Sequence, residues 1–169
     1  MPLLSDISRR KKLTHFFRDI PKTARILEIG SGAGWVGEYL KAGGWQGYIG
    51  MDLFPPADIV GDIKQWQQTG LQPESMDVIV AFECIEHVDL VQEALDILKP
   101  GGLLLLTSPV PSMDWVMKIL ESIGLNQKRT SPHCNLVDFR KLLLFEMVDY
   151  RRIGGLAQWG VLRKPLACR

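Results

Sequence analysis

Two apolar periods alternate along this chain. Unbroken or nearly unbroken apolar runs in RILEI (25–29), GYIGMD (47–52) and LLLL (103–106) have the continuity of parallel strands buried on both faces. Around them, apolar residues recur at three- and four-residue spacing, the period of a helix with one buried face. Leu13, Phe16, Phe17 and Ile20 mark one such helix before Pro21. Trp35, Val36, Tyr39 and Leu40 mark a second, which starts at about Gly34 and closes at Gly43-Gly44. Asp89 caps a third, on Val91, Ala94, Leu95 and Leu98, with Pro100 as its stop. The pattern predicts two more: Ser112 to Ile123, with Met113, Val116, Met117 and Leu120 on one stripe, and Leu136 to Phe145, capped by Asn135.

The tail YRRIGGLAQWGVLRKP reads as two strands joined at Gly154-Gly155, an antiparallel hairpin. Between Asp52 and the strand-like DIVGD there are only five residues, LFPPA, too few for a crossover helix. The expected fold class is therefore α/β: a doubly wound, mostly parallel sheet with a C-terminal antiparallel hairpin and a reduced connection between strands 2 and 3. An N-terminal helix over residues 1–21 precedes a single domain over residues 22–169, and no stretch fits a separate substrate domain.

The chemistry concentrates where the first strand ends. RILEI runs into glycines at 30, 32 and 34, which suits a turn where backbone approaches a ligand closely, since glycine tolerates positive φ and has no Cβ. The following helix turns its N-terminus, with free N–H groups and a positive dipole end, toward that turn. Asp52, at the tip of the next strand, is placed to accept ribose hydroxyls. The ligand expected is a nucleoside cofactor. Gly32, Gly34 and Gly37 also satisfy the dinucleotide pattern GxGxxG, so a nicotinamide-binding oxidoreductase stays open, although Glu28 in the strand would repel a pyrophosphate.

Taken together, Glu28, Gly30, Gly32 and Gly34 resemble the first motif of the class I S-adenosylmethionine-dependent methyltransferases, an acid followed by Gly-x-Gly-x-Gly. The resemblance continues through MDVIVAFECIEHV (76–88), like that family's fourth strand and its Glu-His-Val, and LKPGGLLLLTSP (98–109), like its fifth strand. It implies a Rossmann-like methyltransferase fold of the small, single-domain kind, similar to the ubiquinone-biosynthesis type, with S-adenosyl-L-methionine as cofactor. Carried over position by position, the cofactor-binding residues are Glu28, Gly30, Ser31, Gly32, Gly34, Asp52, Leu53, Asp62, Ile63 and Phe82. Asp52 then serves the ribose, and Asp62 the adenine edge, with Ile63 beside the ring.

A sulfonium methyl is already activated. The protein has to exclude water, align the nucleophile and remove a proton where the nucleophile carries one. Glu83, Glu86 and His87, in FECIEH after the fourth strand, are the expected catalytic groups, with His87 or Glu83 taking the proton and Glu86 orienting. With His133, the same side chains have the chemistry to hold a divalent cation, and the cluster resembles metal-binding acids and histidines of some methyltransferases. Glu-His-Val also occurs in small methyltransferases that use no metal, where the histidine lines the pocket or caps a helix. Cys84 and His87 with His133 and Cys134 lack the spacing of a structural zinc knuckle. Met113, Trp115 and Met117 fit either a substrate roof or a core stripe. Trp159 reads as structural, and His15 as a packed or surface histidine.

Composition changes this picture little. At 169 residues, 46% of them hydrophobic and 23% charged, the chain can bury a full core. A net charge of +1 gives no reason to expect nucleic acid, and the basic tetrad Arg9 to Lys12 reads as a solvated helix face. There is no apolar run of membrane-spanning length and no secretory signal. Cys84, Cys134 and Cys168, odd in number and scattered, suit reduced thiols, so the expected location is the cytoplasm. The expected function is methyl transfer to an oxygen of a small molecule, with nitrogen and carbon as the alternative acceptor atoms. A protein partner or homodimer, and a methyltransferase-like binding module that needs a partner for activity, remain open.

Overall fold

Alternation along the first strand sorts the core into two layers. In β1 (Arg25–Ile29), Leu27 and Ile29 face one apolar cluster and Ile26 the other, because successive side chains leave a strand on opposite faces. The computed structural model describes residues 2–113 and 135–166. With β2 (Gly47–Asp52), β3 (Ile59–Val60), β4 (Met76–Phe82), β5 (Leu98–Pro109), β6 (Glu146–Ile153) and β7 (Ala157–Arg163), it forms one sheet in the order β3-β2-β1-β4-β5-β7-β6. β1 to β5 pair in parallel, and β7 runs antiparallel to both of its neighbours.

Helices cover both faces. α1 (Pro2–Phe17) and α2 (Trp35–Ala42) lie on one side, where Leu13, Phe16, Phe17, Val36 and Leu40 bury against Ile26, Val78, Val80 and Leu105. The other side is closed by α3 (Val91–Ile97) and by a 3-10 helix, Ile63–Thr69, through Ala94, Ile97, Ile63 and Trp66. β1 and β4 adjoin at the centre of the sheet, and their carboxyl ends open side by side. That is where a doubly wound sheet binds its ligands.

The expected α/β doubly wound sheet, its C-terminal hairpin and the reduced link after β2 are all present. LFPPA carries no helix, and β3 is two residues long. Gly154 (φ 57) and Gly155 (φ 73) make the hairpin turn, where two consecutive positive φ values match the twist of the flanking strands.

Two expectations fail. α3 ends at Ile97, and Leu98 opens β5 instead of closing the helix, because its backbone is extended and it pairs with Met76. No helix runs from Leu136 to Phe145; this stretch holds only a 3-10 turn, Phe139–Lys141, capped by Asp138. Tertiary hydrogen bonds take its polar groups instead. Asn135 donates its backbone N–H to Glu86 O (2.9 Å) and its Nδ2 to Ile85 O (3.1 Å), and the buried Gln158 side chain donates to Val137 O (2.6 Å). Of the helix expected at Ser112 to Ile123, the described residues include only the end of the 3-10 turn Pro111–Met113; the remainder, with Trp115 and Met117, lies outside them.

Candidate active site

β1 ends in a turn of three left-handed glycines, Gly30 (φ 76), Gly32 (φ 48) and Gly34 (φ 77). The Gly30 and Ser31 amides both donate to Met51 O, at 2.9 and 3.1 Å, and the Gly32 amide donates to Asp52 Oδ2 at 2.9 Å. The turn is thereby stitched to the tip of β2. A Cβ at Gly32 or Gly34 would meet nothing within 4 Å, so at these two positions glycine supplies conformation and open space above the turn.

Beside the turn lies a cavity of about 540 Å³. Gly30, Asp52, Leu53, Asp62 and Ile63 form one part of its wall, and Glu83, Cys84 and His87 another. Asp62 Oδ1 accepts from Lys64 N (2.9 Å) and so caps the 3-10 helix. Lys64, also in the wall, donates its Nζ to Asp89 O (2.7 Å) and Glu93 Oε1 (2.8 Å), tying that helix to α3. The cavity thus joins the carboxyl ends of β1, β2 and β4, with glycines and two acids on one side and Glu83 and His87 on the other.

Glu28 lies below the turn rather than in the cavity wall. It is only 2% exposed, and Tyr48, on β2, donates its phenol to Glu28 Oε2 at 2.5 Å. Burial pushes the Glu28 carboxyl up to about 7; the Tyr48 bond works against this, and the charge of Asp52 adds to it. Ser31 is buried nearby, its Oγ without a partner among the described residues.

Beyond β4 the chain turns sharply at Glu83, whose φ of 52 is left-handed for a non-glycine residue. Glu83 Oε1 accepts from Thr107 Oγ1 (2.7 Å) and Lys12 Nζ (3.1 Å), and the Glu83 amide donates to Thr107 O (2.9 Å). Glu86 is 2% exposed and stands behind the wall. Burial first, and then the charge of Glu83, push its carboxyl up to about 7, against the pull of Ser108 and Lys12. The Cys84 thiol is pushed up to about 12 by burial and by the carboxylates of Glu86, Asp52 and Glu28.

The structure therefore brings Gly30, Asp52, Leu53, Asp62, Ile63, Glu83 and His87 around one cavity, while Glu28, Ser31, Gly32, Gly34 and Glu86 stand outside its wall. Phe82 faces α1, its ring 4.9 Å from that of Phe16. His133 lies outside the described residues, and among those residues no three His, Cys, Asp or Glu side chains group as a metal site.

Four contributors escaped the sequence reading: Lys12, Tyr48, Lys64 and Thr107. Lys12 is not solvated with its basic neighbours; its side chain is 15% exposed and its Nζ lies 5.4 Å from the centre of the Phe82 ring. A signal existed, since Lys12 sits one turn before Phe16 and so on the apolar stripe.

Comparison with known proteins gives the chain its family. The methyltransferase-domain family matches residues 6–144. No curated protein matches the sequence. The N-methyltransferase NodS from Bradyrhizobium japonicum WM9 has a similar structure, with a TM-score of 0.67 at 17% identity, over 95% of this chain and 96% of that one. So has a chain of the complex between the Haloferax volcanii Trm112 methyltransferase activator and a methyltransferase, with a TM-score of 0.71 at 13% identity, over 95% and 90%. A S-adenosylmethionine-dependent methyltransferase from Methanosarcina mazei scores 0.60 at 16% identity, over 90% and 97%. With its glycine turn, strand-tip acid and matching family pattern, this chain belongs to the methyltransferase-domain family, among the class I S-adenosylmethionine-dependent methyltransferases.

Proposed function

We propose that this methyltransferase acts on an oxygen of a small-molecule acceptor, with Glu83 or His87 removing the acceptor proton. The observation that carries the reading is the shared cavity: Glu83 and His87 stand in the same wall as Gly30 and Asp52. S-adenosylmethionine fits what is present, because the volume of about 540 Å³ is in the range of small-molecule sites and the space above Gly32 and Gly34 is open. Asp52 would accept from the ribose, Asp62 and Ile63 would meet the base, and the glycine turn would take the remainder. When bound, the cofactor supplies an activated sulfonium methyl.

The chain's own residues do the rest. Lys12 and Thr107 hold Glu83 by one oxygen, Oε1, and so direct the carboxylate. A carboxylate or imidazole within hydrogen-bond reach of an acceptor hydroxyl can take its proton as the oxygen is methylated. Glu86 would act from behind, through its charge on Glu83.

The test begins with calorimetric titration of the protein with S-adenosylhomocysteine, with NAD as control. Binding of the first alone supports the cofactor reading, and binding of NAD alone overturns it. A screen of phenols, alcohols and amines then decides the acceptor atom; turnover of amines alone would remove the oxygen reading. Glu83→Gln and His87→Ala are each expected to lower turnover while leaving S-adenosylhomocysteine affinity within about 3-fold. Excess chelator in the same assay reports whether Glu83, Glu86, His87 and His133 recruit a divalent cation.

A second reading, in which the chain needs a protein partner for activity, is favoured by one feature. Leu53, in the cavity wall, is 59% exposed and stands with Phe54 (72%) and Val60 (55%) around the end of β2 and the edge strand β3. The Haloferax volcanii structure is itself a complex with an activator. Turnover by the purified chain alone would end this reading.

A further inference from the structure

Tyr48 is built into the fold by two glycines. On α2, a Cβ at Gly37 would lie 2.6 Å from Tyr48 Cε1; on β2, a Cβ at Gly50 would lie 2.7 Å from Tyr48 Oη. Real Cβ contacts of that length do not occur, so the ring, as placed, fills a slot that glycine at both positions leaves open, and a side chain at either would require it to shift. In that slot the phenol reaches Glu28 Oε2 at 2.5 Å. β1 and β2 set this meeting, because Ile26 pairs with Tyr48 and Glu28 with Gly50 on the face beneath the turn.

We propose that Tyr48 is a positioning residue of the cofactor site: it orients Glu28 under the glycine turn and favours its carboxylate form, whose negative charge favours the cationic S-adenosylmethionine over the net-neutral S-adenosylhomocysteine. The inference rests on the cofactor reading above. Chemically, the two ligands differ by one methyl group and one positive charge on sulfur; packing reads the methyl at any pH, whereas a buried anion near the turn reads the charge and does so only while it is ionised. Burying a carboxylate without partners would drive it to its neutral form. The Tyr48 O–H donates to the ionised form and opposes that drift, which leaves Glu28 titrating at about 7.

Other charged groups face the pair. Asp52 at the end of β2 raises the pKa of Glu28, and Asp58, which accepts from the Gly50 amide at 2.8 Å, raises that of Tyr48. Lys41 of α2 lies over the Tyr48 ring, its Nζ 5.4 Å from the centre, and Cys84 beyond β4 feels Glu28 as a neutral thiol. None of these donates a hydrogen bond to Glu28 among the described residues, whereas Tyr48 does.

The experiment is calorimetric titration of the full chain with S-adenosylmethionine and, separately, S-adenosylhomocysteine, from pH 6 to pH 8.5, for the natural protein, Tyr48→Phe and Glu28→Gln. In the natural protein the affinity ratio of the first ligand to the second rises as pH passes through about 7. In Tyr48→Phe that rise moves to higher pH by about one unit, so the ratio is lowered several-fold at pH 7 and recovers by pH 8.5. In Glu28→Gln the rise is lost. A Tyr48→Phe ratio that tracks the natural protein at every pH, or one lowered equally at every pH, overturns the inference while leaving the cofactor reading intact. Thermal melting of each variant excludes unfolding as the cause. Failure of the natural protein to bind either ligand at any pH overturns both.

Discussion

Lys12 of the N-terminal helix lies 3.1 Å from Glu83 at the carboxyl end of β4, although 71 residues separate them in the chain. The same Nζ reaches Thr107 Oγ1 at 3.3 Å, so the helix, β4 and β5 meet on one polar contact at the rim of the cavity. Position in the fold, and not proximity in the chain, brings this lysine to Glu83 of the cavity wall.

Replacing Lys12 by Met removes that contact. Because the Glu83 side chain is 47% exposed, solvent screens the ion pair, and the expected loss of stability is only about 0.5–1 kcal/mol by denaturant titration. Lys12→Arg, which keeps the charge, is expected to lose less.

Asp52 accepts from the Gly32 amide and, through Oδ1, from Phe54 N at 3.2 Å. Asp52→Ala is expected to weaken S-adenosylhomocysteine binding by about 10-fold or more, the worth of two charge-assisted hydrogen bonds. Unchanged affinity in calorimetry would show that the ribose lies elsewhere.

Gly37→Ala adds a methyl that would lie 2.6 Å from the Tyr48 ring. Alanine improves helix propensity by about 1 kcal/mol, but the ring is pinned by Glu28 and can move only by breaking that bond. The expected net result is destabilisation by about 1–2 kcal/mol, as for overpacking, and a less than additive combination with Tyr48→Phe. A neutral Gly37→Ala would mean that the slot yields.

The two buried carboxyls set the pH dependence of stability. Glu28 and Glu86 both titrate at about 7 in the folded chain, above their ordinary value of 4.5. Between those values the folded state holds protons that the unfolded state has released, so these groups make stability fall as pH rises from about 4.5 to 7, and flatten above it. Unfolding free energies measured across that range are expected to decline less in Glu28→Gln and in Glu86→Gln. A slope unchanged by either variant would remove them as its source.

The candidate site was legible wherever its placement depends on neighbours in sequence. The left-handed glycine turn, Asp52 at a strand tip and Glu83 with His87 after β4 all follow from short motifs, since each sits at the end of an element whose period is visible. Glu86 shows the limit. It belongs to the same motif as Glu83 and His87 but is buried outside the cavity wall, on a turn whose Ile85 and Glu86 carbonyls accept from Asn135 of a distant segment.

By itself, the sequence determined the order of elements, the two-faced burial of the sheet, the missing helix after β2, the hairpin at Gly154-Gly155 and the nucleoside-type turn. These rest on periodicity and on glycine, which act over a few residues. Tertiary structure alone decided that residues 136–145 form a strap instead of a helix, that Lys12 turns inward to Glu83, and that Tyr48 passes between Gly37 and Gly50 to reach Glu28. In each case a polar group finds its partner across the fold. Where buried polar groups are satisfied depends on which strands become neighbours, and that is settled only when the sheet closes.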